Sequence, residues 1–265
     1  MTSQSGTSQT ANWEDWTERW DKQQTAYLPV REQRFDVMST VTTMLRGEDC
    51  TILDLACGPG SLSKRFLSLH PRSRSIGIDF DPVLLELAAR TIGDVEGRLT
   101  LLRADVTDPN WIDLLAGRPV DAVLTTTALH WLTADQLVRL YRQLADVLPP
   151  GAVLLNGDHM AFDAHQPTLQ RVASTIKEER WSGAFSAEGS EDYDQWWTAL
   201  ENYSDSLPSA ERLPFEERRQ GAGRHQAVKR RPGLDLHAST LRDAGFAEVG
   251  VIWANLDNRL LMAVR

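Results

Sequence analysis

Cysteine is scarce: Cys50 and Cys57 are the only two in a chain of 265 residues. Two thiols cannot form a disulfide framework, and beside the first strand-like segment they read as small core or loop residues of a reducing compartment. No apolar run approaches the ~18 residues of a membrane span. The opening MTSQSGTSQTAN has neither the basic start nor the apolar centre of a signal peptide. Residues 1–12 are therefore expected to be a disordered tail on a cytoplasmic protein with no membrane partner. Cations are in deficit, with 28 Lys plus Arg against 37 Asp plus Glu and a formal charge of −9. That balance disfavours a broad nucleic-acid surface, which needs clustered cations to displace counterions. What remains is an ordinary globular composition, 42% hydrophobic and 25% charged, long enough to bury a substantial core.

Trp13, Trp16 and Trp20 are spaced i, i+3, i+7 and share one helical face. They predict a helix docked on the body or an aromatic lid over a pocket, and a second helix is predicted over 31–45. From Thr51 short apolar runs alternate with helical stretches. TILDLA, SIGIDF, LTLLRADV, VDAVLTTTAL and GAVLLNGD read as five strands. The helices between them include DPVLLELAARTI, with Pro82 in its first turn, and TADQLVRLYRQLADVL. Such alternation implies βαβ units and a parallel sheet covered on both faces. The rhythm breaks between about 160 and 232, where TLQRVASTIKEERW and EDYDQWWTALENY are helical and no strand is convincing. It resumes with LHASTLRDAGF, EVGVIWAN and RLLMAVR, the last two forming a strand pair. The expected organisation is a core of residues 13–159 and 233–265, with residues 160–232 a helical insertion covering a pocket.

The most informative stretch is LDLACGPG, residues 53–60. A strand ending in a tight glycine turn and opening a helix aims backbone N–H groups at a ligand. Asp79 ends the second strand, nineteen residues after Gly60, where it can accept both hydroxyl protons of a ribose. Asp105 is expected at the end of the third strand, within reach of an adenine amino group, and Thr125 at the end of the fourth. The ordered set sits where open α/β sheets bind ligands.

LDLACGPG, GIDFDP, RADV and DAVLTTTALHWL resemble successive motifs of class I S-adenosylmethionine-dependent methyltransferases, and LPPGAVLL and LRDAGF match later parts of that fold. HWL is similar to the small-molecule branch that includes trans-aconitate methyltransferase. The resemblance implies an α/β, Rossmann-like three-layer sandwich with a mostly parallel seven-stranded sheet and an antiparallel C-terminal strand. It implies S-adenosyl-L-methionine as cofactor and S-adenosyl-L-homocysteine as product. It puts Asp54, Ala56, Gly58 and Gly60 around the methionine moiety, Asp79 on the ribose and Phe80 against the adenine. Asp105 and Val106 fall on the adenine edge and Thr125 near the methionine part. Ala56 stands where the family more often has glycine. Ahead of the first strand, Arg31 and Tyr27 are the candidates for the cofactor carboxylate.

An NAD-dependent oxidoreductase fits the spacing from Gly60 to Asp79, but Ser63 replaces the third glycine of G-x-G-x-x-G. A P-loop fails because Lys64 follows no required glycine and precedes no Ser or Thr. His159 and His165 lie near Asp158 and Asp163 without ligand spacing, so no metal is expected. A non-catalytic cofactor-binding protein remains open, as do intramolecular cyclisation and aminocarboxypropyl transfer. The expected reaction is methyl transfer to a small-molecule acceptor, in specialised metabolism, by a monomer or homodimer. His130, or Asp158 and His159 acting together, are the catalytic candidates; Trp20, Trp131 and Asn156 are expected to face substrate. Within the insertion, residues 181–210 hold six acidic side chains and no Lys or Arg, whereas 211–231 hold seven basic against three acidic.

Overall fold

The computed structural model describes residues 12–186, 190–221 and 232–265. The tail expected over 1–12 thus lies, save for Asn12, outside the described residues, as do Glu188 and the basic run 224–231. Two helices lead in, α1 (Trp13–Tyr27) and α2 (Arg31–Arg46). The alternating core follows: β1 (Thr51–Leu55), α3 (Ser61–Leu69), β2 (Arg74–Asp79), α4 (Pro82–Ile92), β3 (Leu99–Arg103), β4 (Ala122–Thr126), α5 (Ala134–Val147) and β5 (Val153–His159). Helices α6 (Pro167–Ser186), α7 (Tyr193–Ser206) and α8 (Phe215–Gly221) come next, then α9 (Leu234–Asp243), β6 (Glu248–Asn255) and β7 (Asn258–Val264).

The seven strands form one sheet in the order β3-β2-β1-β4-β5-β7-β6. Strands β1 to β5 pair in parallel, and β7 runs antiparallel to both neighbours. Strand order reverses between β1 and β4, which opens a crevice at their C-terminal ends. Every residue of β1 is buried, as a strand covered on both faces requires. Leu53, Leu55, Ile76 and Ile78 pack on one face with α5 and α9, and Ile52, Leu124, Val153 and Leu155 on the other with α2 and α3. The sequence writes the helix starts: Asp81 accepts from the Val83 and Leu84 N–H groups ahead of Pro82, and Thr133 with Gln136 makes a capping box on α5.

Three boundaries differ from the sequence reading. PNWIDLLA contains only a 3-10 turn, Trp111–Leu115. Strand β3 stops at Arg103 and β4 at Thr126, because the chain must turn there. Asp105 therefore sits in a loop beyond the strand, where its Oδ1 accepts from the Thr107 N–H at 2.9 Å and hydroxyl at 2.6 Å.

Candidate active site

The turn after β1 is wound tightly. Ala56, Gly58 and Gly60 all take left-handed φ, at 58°, 55° and 79°, a region that favours glycine and strains alanine. A side chain on Gly60 would begin 2.6 Å from Ile92 Cδ1, so the Ile92 side chain would have to shift to admit it. Asp54 clamps the loop from below, its Oδ2 accepting from Ser63 N–H at 3.1 Å and Ser63 Oγ at 2.6 Å. Asp79 clamps it from beside, accepting from Gly58 N–H on Oδ2 at 2.8 Å and from Asp81 N–H on Oδ1 at 2.9 Å. Each oxygen of Asp79 therefore retains acceptor capacity. Burial pushes Asp79 up to about 6, opposed by the Asp81 and Gly58 N–H groups, and pushes Asp54 up to about 6 against its Ser63 bonds. A buried carboxylate with spare acceptor capacity fits a ligand that brings hydroxyl donors, as a ribose does. Phe80 is 41% exposed just beyond the end of β2, and Val106 is half-buried.

A roof lies over this loop. Trp20 Cζ2 comes within 3.9 Å of where a Gly58 side chain would start. Trp20 thus packs on the glycine loop. It joins Trp196 at 4.8 Å, and Trp196 meets Trp197 at 5.0 Å between ring centroids. Arg218 of α8 lies 3.6 Å over the Trp197 ring and donates to Asp81 Oδ2 at 2.8 Å. Asp81 in turn donates its N–H to Asp79, so α8 reaches the ribose candidate through two hydrogen bonds. Arg103 pairs with Glu217 and fastens the same helix to the end of β3. Arg31 is buried and engages Asp21 at 2.9 Å; Asp21 also accepts from Ser61 Oγ at 2.6 Å. Its guanidinium is thereby committed within the protein beside the loop.

The ends of β4 and β5 are built differently, from side chains brought together over long distances in sequence. Arg34 is fully buried, donating to Asn258 Oδ1 at 2.8 Å, to Thr127 Oγ1 at 2.9 Å and to Thr126 Oγ1. Burial lowers its pKa to about 10, which leaves it charged at neutral pH. Gly157 makes room for it, since a side chain there would begin 2.6 Å from Arg34 Cδ. Thr127 is held at φ 58°, its N–H donating to Gly157 O at 2.9 Å.

His130 Nδ1 lies 2.7 Å from Asp158 Oδ1, and its backbone N–H donates to Asp158 Oδ2 at 3.0 Å. Burial alone would raise Asp158, but His130, His159 and Arg34 together hold it below the usual carboxylate range. The carboxylate partner of His130 is thus Asp158, and the expected Asp158–His159 side-chain pair does not form. His159 gives Asp158 only its backbone N–H, at 2.7 Å, while its ring turns to Asp257, with Nδ1 3.4 Å from Oδ1. Alternation along β5 explains this, since neighbouring side chains leave on opposite faces. Asn156 shares Asp158's face and is sealed in, its Nδ2 3.5 Å from Tyr141 Oη, which meets His237 Nδ1 at 2.7 Å. Asn156, expected to face substrate, is fully buried, and Thr125 is likewise 0% exposed. Trp131 is 49% exposed beside the His130 ring. Tyr27 groups with Trp181, Phe185 and His159 rather than with the glycine loop.

Arg34, Asp81, Arg218 and Asp257 were missed by sequence reasoning. The signal for Arg34 is a cation in the apolar stripe of α2, one turn before Met38; for Asp81 it is the Asp-Pro pair that opens α4. Arg218 and Asp257 carry no local signal.

Residues 52–151 match the family model described as a methyltransferase domain. Trans-aconitate 2-methyltransferase of Azoarcus sp. (strain BH72) is 30% identical over 168 residues, 62% of this chain and 60% of that protein. Ribosomal RNA small subunit methyltransferase H of Mycolicibacterium smegmatis is 31% identical over 144 residues, 52% of this chain and 38% of that one. The chain thus spans 38% and 60% of the length of these two curated relatives. An O-methyltransferase family protein from Burkholderia thailandensis shares the fold at 18% identity and a TM-score of 0.55, covering 98% of this chain and 74% of that one. Strand order, glycine loop and matched segment converge: over residues 52–151 the chain is similar to methyltransferase domains, and its fold is that of methyltransferases.

Proposed function

We propose that the protein transfers the methyl group of S-adenosylmethionine to a hydroxyl of a small-molecule acceptor, with His130 as general base. The observation that carries this reading is the buried His130–Asp158 pair at the ends of β4 and β5. An ionised Asp158 accepts only, so it fixes the proton on His130 Nδ1 and leaves Nε2 as the acceptor. An imidazole held in that tautomer suits removal of a hydroxyl proton.

The cofactor would be held by the Gly58–Gly60 loop, by Asp79 on the ribose, and by Phe80, Asp105 and Val106 around the adenine. When bound, it supplies a sulfonium-activated methyl group. The protein's own contribution is then positioning and exclusion of water. Asp54 rigidifies the loop through Ser63, Arg34 fixes the Thr126–Thr127 turn, and the Trp20–Trp197–Arg218 roof screens the site. Helices α6 to α8 act as the cover in this reading. The Azoarcus relative, a trans-aconitate 2-methyltransferase, together with the −9 charge, favours a small acceptor. The Mycolicibacterium relative, named for ribosomal RNA, keeps an RNA acceptor as the second reading.

Methyl-labelled cofactor offered with a panel of hydroxylated small molecules, and separately with bulk RNA, tests the proposal. The expected outcome is label in a small-molecule ether. His130→Ala should remove that transfer while S-adenosylhomocysteine affinity stays within about twofold. Label in RNA alone, a cyclised or aminocarboxypropylated product, or full activity of His130→Ala would contradict it.

A further inference from the structure

Asp21 of α1 sits in a cradle of cations beside the glycine loop. Its Oδ1 accepts from Arg31 at 2.9 Å and from the Ser61 hydroxyl at 2.6 Å, and its Oδ2 lies 3.1 Å from Arg65 Nη1. Ser61 directly follows Gly60 and opens α3. The cradle therefore adjoins the far end of the loop, while Asp79 holds Gly58 nearer its start. Arg31 is 4% exposed, and a guanidinium so withdrawn from water requires an anion beside it.

Groups other than Asp21 hold the cradle in shape. Both guanidiniums rest on the Phe35 ring, with Cζ 4.8 Å from its centroid for Arg31 and 5.0 Å for Arg65. Arg65 is also fixed by two bonds to Glu32, each at 2.9 Å, and by one to Ser61 O at 3.0 Å. Two cations and a hydroxyl thus keep their places without Asp21, in an arrangement that suits a carboxylate. Asp21 itself belongs to a different helix, and its side chain is 29% exposed. Its neighbour Trp20 packs on Gly58, so successive residues of α1 cover the two ends of the loop. A further carboxylate entering beside Asp21 would put three carboxylates, Glu32 included, around two guanidiniums. Exchange avoids that repulsion.

We propose that Asp21 is a built-in competitor of the cofactor: it occupies the place of the ligand's amino-acid carboxylate and leaves as that carboxylate enters. The inference rests on the S-adenosylmethionine reading above, in which the ligand brings a ribose to Asp79 and an amino-acid carboxylate at its other end. Asp21 then lowers cofactor affinity, and its return to the cradle favours release of the product nucleoside.

The test is calorimetric titration of the full chain with S-adenosylhomocysteine and with methylthioadenosine, which keeps the adenine, ribose and sulfur and lacks the amino-acid end. Asp21→Asn removes the competing charge and should bind S-adenosylhomocysteine about fivefold more tightly than wild type, the factor expected from one partly buried ion pair. Asp21→Ser should show the same gain, and methylthioadenosine should gain in neither variant. The double variant Asp21→Asn/Arg31→Met removes both charges of the pair and should lose the gain. Unchanged S-adenosylhomocysteine affinity in the single variants would overturn the proposal. So would weaker binding, which would make Asp21 a partner of the ligand's ammonium group. An equal gain for methylthioadenosine would mean that α1 has only loosened, and a gain that survives Arg31→Met would put the ligand's carboxylate elsewhere; either result overturns the assignment. In each of those cases intact S-adenosylhomocysteine binding leaves the cofactor reading standing. Failure of wild type to bind S-adenosylhomocysteine at all would remove that reading and this inference with it.

Discussion

The two halves of the strand edge solve the same problem by different means. Around β1 and β2, backbone turns and residues close in sequence make the site: Ala56 to Gly60, Asp54 with Ser63, and Asp79 with Gly58 and Asp81. Around β4, β5 and β7, buried side chains from distant segments make it: Arg34 with Asn258, His130 with Asp158, and His159 with Asp257. The carboxylates of the two halves are also tuned oppositely. Asp54 and Asp79 are raised by burial to about 6, while Asp158 is held low by His130, His159 and Arg34 around it. One half keeps carboxylates that favour added donors, and in the other the carboxylate already has its partners within the protein. The first is built to bind, the second to hold shape and move a proton.

The sharpest way to break this contrast is to remove one carboxylate from each half and compare stability. Asp158→Ala leaves buried Arg34 without its nearby counter-charge and the His130 Nδ1–H and backbone N–H without their acceptor, and such truncations cost about 3–5 kcal/mol. Thermal or urea unfolding should show that loss for Asp158→Ala and little loss for Asp79→Ala. Equal losses would erase the distinction.

The pH dependence should differ in sign as well. A carboxylate raised in the folded state contributes stability at low pH that is lost as pH climbs from the ordinary value near 4 to about 6. Asp158, lowered in the folded state, contributes stability above the ordinary value that is lost as pH falls below it. Asp79→Asn should therefore flatten stability between about pH 4 and 6, by up to about 3 kcal/mol at 1.36 kcal/mol per unit. An unchanged profile in that window would show that Asp79 does not titrate there.

Gly157→Ala probes the second half through shape. Its new methyl would sit 2.6 Å from Arg34 Cδ, and overpacking of this kind costs about 1–3 kcal/mol. The loss should shrink sharply in an Arg34→Ala background, measured as a double-mutant cycle. Simple additivity would mean that the glycine is needed for another reason.

The smallest expected effect joins the roof to the first half. Arg218→Ala removes one partly buried ion pair and one cation–π contact, each worth about 1 kcal/mol. S-adenosylhomocysteine should dissociate several times faster in stopped-flow tryptophan fluorescence, with little change in association. Identical dissociation would make the α8 contact mere packing.

The same division explains what could be read from the sequence. The sheet, its strand pair at the C-terminus and the Gly58, Gly60 and Asp79 set were legible because each is written within a short window. Apolar runs, a glycine turn and an acidic residue at a strand end keep their meaning without the rest of the chain. The second half was legible only in part. His130 and Asp158 were named, yet their pairing needs the register of β5 beside the turn after β4, and Asp158 was matched to its sequence neighbour instead. Asn156 read as exposed because the strand's end was visible but not which face α5 covers. Arg34 and Asn258 lie 224 positions apart, and no periodicity links them. Trp20 was legible as part of an aromatic stripe, but its seat on Gly58 depends on how α1 crosses the sheet edge.

The measurement closest to the central claim is calorimetric titration of wild type, Asp79→Asn and Asp79→Ala with S-adenosylhomocysteine, with NAD run in parallel. Loss of hydrogen bonds to a charged group costs about 1.5–3 kcal/mol, roughly ten- to more than a hundredfold in affinity. The account predicts that wild type binds S-adenosylhomocysteine and not NAD, that Asp79→Ala weakens binding by that factor, and that Asp79→Asn falls between. Binding of NAD in its place, or a folded Asp79→Ala within twofold of wild type, would contradict it.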